Sequence, residues 1–202
     1  VLGFEELEKL DSYGRYLDSD NDGICYRTYP GTHPEKGAYF TRGTSHDEYA
    51  RYTEDGNINA ETLMRLMRKF RTASELVPPP IIEINGEDSC GIIYYGSSKP
   101  AVLEAKDILK TKDINVDLMQ IRSFPFNLDV WEFIASHDRI YVVEQNRDSQ
   151  MRTLIMAEGG ISAEILRPLV HFTGDPIEAS YIVNKISERE VNYKSHKNIK
   201  ER

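Results

Sequence analysis

Three aspartates alternate through Asp18-Ser19-Asp20-Asn21-Asp22-Gly23, the spacing at which carboxylates converge on a calcium ion while a glycine permits the sharp turn. The twelfth position of such a loop is Tyr29, where a bidentate glutamate is needed, and this argues against an EF-hand. Two readings remain open: a Ca²⁺ or Mg²⁺ site at Asp18, Asp20 and Asp22 completed by a distant carboxylate, and an Asx-turn loop whose carboxylates cap backbone N–H groups. Ser45-His46-Asp47-Glu48 contains the residue types of a hydrolase triad. Consecutive side chains diverge from the backbone, however, so no Ser-to-His-to-Asp relay can form among them. Arg42, His46 and Asp47 fit a loop that touches a substrate or a partner, with the planar fork of Arg42 suited to a carboxylate. They fit equally a loop tied to the neighbouring domain by hydrogen bonds.

Gly96-Ser97-Ser98 follows a strand and opens a helix, a place where free N–H groups and the helix dipole can hold an anion. Ser98 as an N-cap before Lys99-Pro100 explains the same residues without a ligand. Glu144, Gln145, Asn146 and Arg147 fall at the end of a strand, where α/β sheets present ligand or interface groups. A loop network of polar side chains accounts for them too.

The elements that would position these groups differ along the chain. Residues 1–58 are rich in Gly, Asp and Tyr and carry one short helical candidate, Phe4 to Leu10, so they read as an extended, irregular connector. Leu63, Leu66, Met67, Phe70, Ala73, Leu76 and Val77 then recur at three- and four-residue steps, predicting an amphipathic helix over 59–77 with Asn59 as its N-cap. Pro78-Pro79-Pro80 stops that helix and marks a boundary, so residues 1–80 form one region. Beyond it, apolar runs alternate with helical segments. Strands are expected at Cys90 to Tyr95, Asn115 to Ile121, Arg139 to Glu144 and Ile165 to Phe172. Helices are expected at Ala101 to Leu109, Leu128 to Ser136, Ser149 to Glu158 and Pro176 to Ile186. This rhythm, with strands apolar on both sides, predicts a three-layer α/β/α sandwich over 88–187. The basic stretch 188–202 lacks a folding pattern and reads as a flexible tail.

The chain has 202 residues, is 40% apolar and 29% charged, and carries a formal net charge of -8. That charge argues against nucleic acid or an anionic membrane surface as the main partner. No apolar run reaches the roughly 20 residues needed to span a bilayer, and a cytoplasmic location is expected. Cys25 and Cys90 are too few for a disulfide framework or for an iron–sulfur cluster, which needs four thiolates. The sequence opens on Val1 without an initiator methionine, as a fragment or a trimmed subunit would.

Gly31 to Gly56 holds four glycines, two histidines and several aromatic residues without helical or alternating periodicity, which predicts a long ordered loop. This block resembles a stretch of the alpha subunit of 2-oxoacid:ferredoxin oxidoreductases, especially those acting on 2-oxoglutarate. Arg122-Ser123-Phe124-Pro125-Phe126-Asn127 and Val143 to Leu154 resemble later stretches of the same subunit, in the same order. The resemblance implies the C-terminal portion of that subunit, with a transketolase C-terminal-like domain and a large N-terminal domain missing. It also implies the chemistry of the assembled enzyme: decarboxylation of a 2-oxoacid on thiamine diphosphate with Mg, electron transfer through a [4Fe-4S] cluster to ferredoxin, and formation of an acyl-CoA such as succinyl-CoA. A beta subunit, and hence a hetero-oligomer, is implied as partner, with Glu144 to Arg147 at an interface. The Gly-Asp-Gly thiamine motif, the CxxC pair and the Tyr-Pro-x-x-Pro-Ser-Ser motif are absent here, so the chain alone should be inactive. The competing expectation is a free-standing α/β interaction module, since fold alone does not fix function.

Overall fold

The protein is described by a computed structural model over residues 1–40, 43–85 and 90–200, with only the backbone described at 192 and 194–200. The chain forms two compact units, Val1–Leu76 and Val77–Arg202.

The first unit has little regular structure. Helix α1, Phe4–Glu8, is opened by Glu6, whose carboxylate accepts the Gly3 N–H at 2.7 Å. Its other end is closed by Lys36, whose Nζ donates to the carbonyls of Leu7, Glu8 and Leu10. Helix α2, Gly56–Leu76, begins three residues before the predicted start. The reason is Asp55, whose carboxylate accepts the Asn57 N–H at 2.8 Å and so takes the capping role expected of Asn59. Asn59 instead accepts a hydrogen bond from the Ser45 hydroxyl.

Helix α2 uses its polar side to hold this unit together. Arg68 pairs with Asp18 at 2.9 Å, Arg65 donates to the Gly23 carbonyl at 3.0 Å, and Thr72 donates to the Asp22 carbonyl. Gly23, at φ +84°, lies so close that a Cβ there would sit 2.2 Å from the Lys69 nitrogen. On the apolar side, Leu63 and Met67 are each 55% exposed.

The second unit is a five-stranded sheet: β1 (Ile81–Glu83), β2 (Cys90–Tyr95), β3 (Asp117–Ile121), β4 (Arg139–Glu144) and β5 (Leu166–Val170), in the order β1-β3-β2-β4-β5. The last four are parallel, with Ile92 beside Leu118 and Tyr141, and Val142 beside Pro168. Strand β1 is antiparallel to β3 and was not expected from the sequence. It is three residues long and follows three prolines, which suits an edge position where one row of N–H groups needs no partner.

Side chains alternate between two cores, as the two-residue strand period requires. Ile92, Tyr94, Tyr141 and Val143 face α3 (Lys99–Lys110) and α6 (Ala179–Lys200), while Ile93, Met119, Ile140 and Val142 face α4 (Leu128–Ala135) and α5 (Gln150–Gly159). The expected α/β/α layering is therefore present. Gly91 is required where β2 passes α4, since a Cβ would meet the Phe133 ring at 3.0 Å. Among the described residues no helix is long and apolar enough to cross a membrane.

Where a flexible tail is expected from 188, α6 continues through that point to Lys200. The reason is Glu190, 1% exposed, whose carboxylate accepts from Arg139 at 2.8 Å and from the Tyr141 hydroxyl at 2.8 Å. Burial and the neighbouring Glu190 charge both push the Tyr141 hydroxyl above its ordinary pKa, so it stays protonated and donates. The Arg139 guanidinium also lies 4.3 Å from the Tyr193 ring centroid.

Breaking one side of a buried ion pair leaves an uncompensated charge, at a cost of about 3–5 kcal/mol. Glu190→Ala is accordingly expected to lower the urea unfolding free energy of the second unit by about that much, as is truncation after Ile186. A loss under about 1 kcal/mol in both variants would show that α6 is not anchored this way.

Candidate functional site

The irregular first unit carries the groups with chemical potential, and side-chain bonds to backbone hold them in place. His33 is buried, and its Nδ1 accepts the N–H groups of Glu35 and Lys36 at 3.1 and 2.9 Å. The ring proton is thereby placed on Nε2, which donates to Glu8 at 2.7 Å. Histidine is the residue that can accept and donate on opposite edges, and here it folds the loop 33–36 back onto α1. Sequence reasoning did not single it out, since no period or motif marks it.

Asp47 organises a second turn. Its carboxylate accepts the N–H groups of Tyr49 and Arg51 at 2.9 and 2.8 Å, and its backbone N–H donates to the Arg51 carbonyl. Within the turn Ala50 is buried at φ +67°, a conformation costly for a residue with a Cβ. His46 stacks on Tyr16 with ring centroids 3.8 Å apart, and the Ser45 hydroxyl points to Asn59. Ser45, His46 and Asp47 thus make no relay. Arg42 lies outside the described residues.

The turn at 47–51 separates two cavities. The larger, about 720 Å³, has Arg51, Arg65 and Arg68 in its walls together with Asp18, Asp47, Glu48 and Glu61, so cations and anions are nearly balanced. The smaller, about 350 Å³, is framed by Tyr39, Tyr49, Arg15, Lys36 and Arg51, with Glu35 as its acidic group.

Asp18, Asp20 and Asp22 each offer a carboxylate oxygen within 4.8 Å of the others. No other group of three metal-ligating side chains gathers among the described residues. Their hydrogen bonds are those of a turn: Asp18 accepts the Gly23 N–H at 2.9 Å, Asp22 accepts the Ile24 N–H at 2.6 Å, and Asp20 accepts from the Tyr26 hydroxyl. A divalent cation would compete with Arg68 for Asp18. A four-thiolate cluster does not fit this chain, whose cysteines are Cys25, half-buried, and Cys90, fully buried.

In the second unit, the loops leaving β2 and β4 diverge toward opposite edges of the sheet, at a topological switch point. The polar residues there bond to one another. Gln145 donates to the hydroxyls of Ser97 and Ser98 at 3.0 and 3.2 Å. Ser98 stands at the expected N-cap position of α3, but its side chain makes no cap hydrogen bond; its buried hydroxyl accepts from Gln145 instead. Glu144 is fully buried and accepts the N–H groups of Met151 and Arg152 at 2.7 and 3.0 Å, capping α5 from outside the helix. It therefore faces inward within this unit. Asn146 donates to Glu144 at 2.8 Å, and Arg147, with a 75% exposed side chain, pairs with Asp148.

No family model matches the chain. It is 28% identical over 185 residues to the alpha subunit of 2-oxoacid:ferredoxin oxidoreductase 2 from Aeropyrum pernix, a match covering 87% of this chain and 28% of that protein. A second relative, the alpha subunit of 2-oxoacid:ferredoxin oxidoreductase from Saccharolobus solfataricus, is 28% identical over 124 residues, or 59% of this chain and 20% of its own length. The chain thus spans under a third of the relatives it matches. A solved 2-oxoglutarate:ferredoxin oxidoreductase from Magnetococcus marinus, with 2-oxoglutarate, coenzyme A and succinyl-CoA bound, shares the fold with a TM-score of 0.78 and 24% identity, over 90% of this chain and 31% of that one.

Two predictions test how the first unit is held. Burial alone would raise the Asp18 carboxyl, but the hydrogen bonds from Arg68 and Gly23 outweigh it and hold the group below its ordinary value. A depressed carboxylate stabilises the fold above its unfolded pKa, near 3.9, and loses that contribution as pH falls through the lower folded value. Hydrogen-exchange protection of residues 18–24 should therefore persist below pH 4 in the native chain and fade at higher pH in Arg68→Ala. Identical acid profiles would contradict the pairing. Gly23→Ala should unfold the first unit at lower urea, losing at least about 2 kcal/mol, because strain and overpacking coincide there; an unchanged midpoint would mean the loop does not lie against α2.

Proposed function

We propose that this chain, which is similar to a portion of the alpha subunits of 2-oxoacid:ferredoxin oxidoreductases, is the C-terminal part of such a subunit and acts only within the assembled enzyme. The observation that carries this reading is the 28% identity to the Aeropyrum pernix alpha subunit across 87% of the chain, both units included. The shared fold with the Magnetococcus marinus enzyme agrees with it, and the 2-oxoacid in this reading is 2-oxoglutarate, the one bound in that structure.

In this reading the assembled cytoplasmic enzyme decarboxylates the 2-oxoacid oxidatively and forms the acyl-CoA, succinyl-CoA for 2-oxoglutarate, with ferredoxin as electron acceptor. Thiamine diphosphate with Mg supplies the carbanion stabilisation when bound, and a [4Fe-4S] cluster held by a beta subunit carries the electrons. The residues of this chain include two cysteines, too few for that cluster. The chain's part is architectural: the sheet domain is a rigid body, and the exposed Arg147 with Gln145 and Asn146 at its switch point faces a partner subunit. The Asp47 turn and the His46–Tyr16 stack fix the connector loop against deformation during assembly.

The test is to isolate the chain with its native partners under anaerobic conditions and determine subunit composition, iron and thiamine. Recovery with a beta subunit that carries both supports the proposal. A lone, colourless monomer would contradict it and favour a free-standing interaction module. Arg147→Ala is expected to weaken recovery of the partner subunit severalfold while leaving the unfolding midpoint of the second unit unchanged, since its ion pair with Asp148 is exposed.

A further inference from the structure

The smaller cavity of the first unit is electrostatically unlike the rest of the molecule. In a chain of net charge -8, its walls bring together Arg15, Lys36 and Arg51 against the single carboxylate of Glu35. Among the described residues none of these three cations forms an ion pair with a carboxylate. Lys36 has its donors engaged by three carbonyls, which orient it without neutralising its charge. The two guanidiniums lie against tyrosines: Arg15 is 4.9 Å from the Tyr16 centroid and 5.7 Å from that of Tyr39, and Arg51 is 5.2 Å from that of Tyr49. Contact over a ring uses the face of a guanidinium and leaves its in-plane N–H donors unspent, the donors that pair bidentately with a planar or tetrahedral oxyanion.

The supports of both cations are themselves anchored. Tyr16, which packs against Arg15, is itself stacked on His46, and the backbone of Arg51 is fixed by the Asp47 carboxylate. His46 and Asp47 thereby become positioning residues, each supporting one cation. The neighbouring cavity shares Arg51 but balances its cations with four carboxylates, so the excess of positive charge belongs to the smaller one. Its volume of about 350 Å³ falls within the range of small-molecule sites.

We propose that the cavity framed by Arg15, Lys36 and Arg51 is a binding site for a small dianionic oxyanion, a phosphoryl or dicarboxylate group, with the tyrosine walls receiving any flat part of the same ligand. This inference stands on the lining charges alone and does not depend on the oxidoreductase reading.

The test is titration calorimetry of the 202-residue chain with inorganic pyrophosphate, ADP and succinate at low ionic strength, where surface screening is weakest. The native chain should bind at least one probe. Arg51→Ala should weaken that binding by about tenfold or more, the effect of losing one charge-assisted hydrogen-bonded contact. Arg51→Lys, which keeps the charge but loses the planar fork, should fall between the two. Lys112→Ala, an exposed cation on the other unit, should leave the affinity unchanged. Preference for pyrophosphate over succinate identifies a phosphoryl ligand and the reverse a dicarboxylate; tighter binding of ADP than pyrophosphate assigns the tyrosine wall to a ring. Absence of binding by all three probes, or equal affinity in the native chain and a folded Arg51→Ala variant, overturns the proposal.

Discussion

The buried carboxylate of Glu190 is the constraint on which the sheet domain closes. It lies on the last helix yet satisfies Arg139 and Tyr141 on the interior strand β4, and Arg167 on the edge strand β5 comes within 4.0 Å. A charge in that position is tolerable only when every neighbour is in place, because desolvation of an unpaired carboxylate costs several kcal/mol. The pairing therefore acts as a condition as much as a bond: α6 must reach past residue 188, and β4 and β5 must be in register, before the group is satisfied. Geometry of this kind favours one arrangement of the five strands over slipped ones.

The first unit solves the opposite problem. Among its described residues no sheet orders it, so backbone groups are satisfied one at a time by side chains: His33 and Lys36 around α1, Asp47 in its own turn, Asp18 and Asp22 in the loop on α2. Each of these bonds is modest singly, about 1 kcal/mol, and together they fix a stretch that would otherwise have many conformations. One consequence is a cluster of guanidiniums carried on rigid turns. Another is an α2 helix whose polar side does the intramolecular work, the inverse of the usual surface helix.

The sheet domain was largely legible in the sequence, because continuous apolar runs such as Cys90–Tyr95 and Arg139–Glu144 can be satisfied only between two helical layers. What escaped was set by contacts distant along the chain. Nothing local distinguishes Glu190 from the charged residues around it, since its partner Arg139 is 51 residues away. Strand β1 is too short to show a period, and the capping role passed from Asn59 to Asp55, four residues upstream, because either side chain can cap and the backbone decides. The candidate site was legible only in part. Asp47 and His46 stood out as residue types, but Arg15, Lys36 and Arg51 come from three separate irregular stretches that no periodicity brings together.

The central functional claim is that this chain works as part of a 2-oxoacid:ferredoxin oxidoreductase. Its most direct test is the rate of acceptor reduction by the native assembly, measured anaerobically with 2-oxoglutarate and CoA, each omitted in turn and 2-oxoglutarate replaced by pyruvate. The account predicts reduction that requires both CoA and a 2-oxoacid and is fastest with 2-oxoglutarate. Reduction independent of either compound, or none at all in an assembly that retains its iron and thiamine, would contradict it.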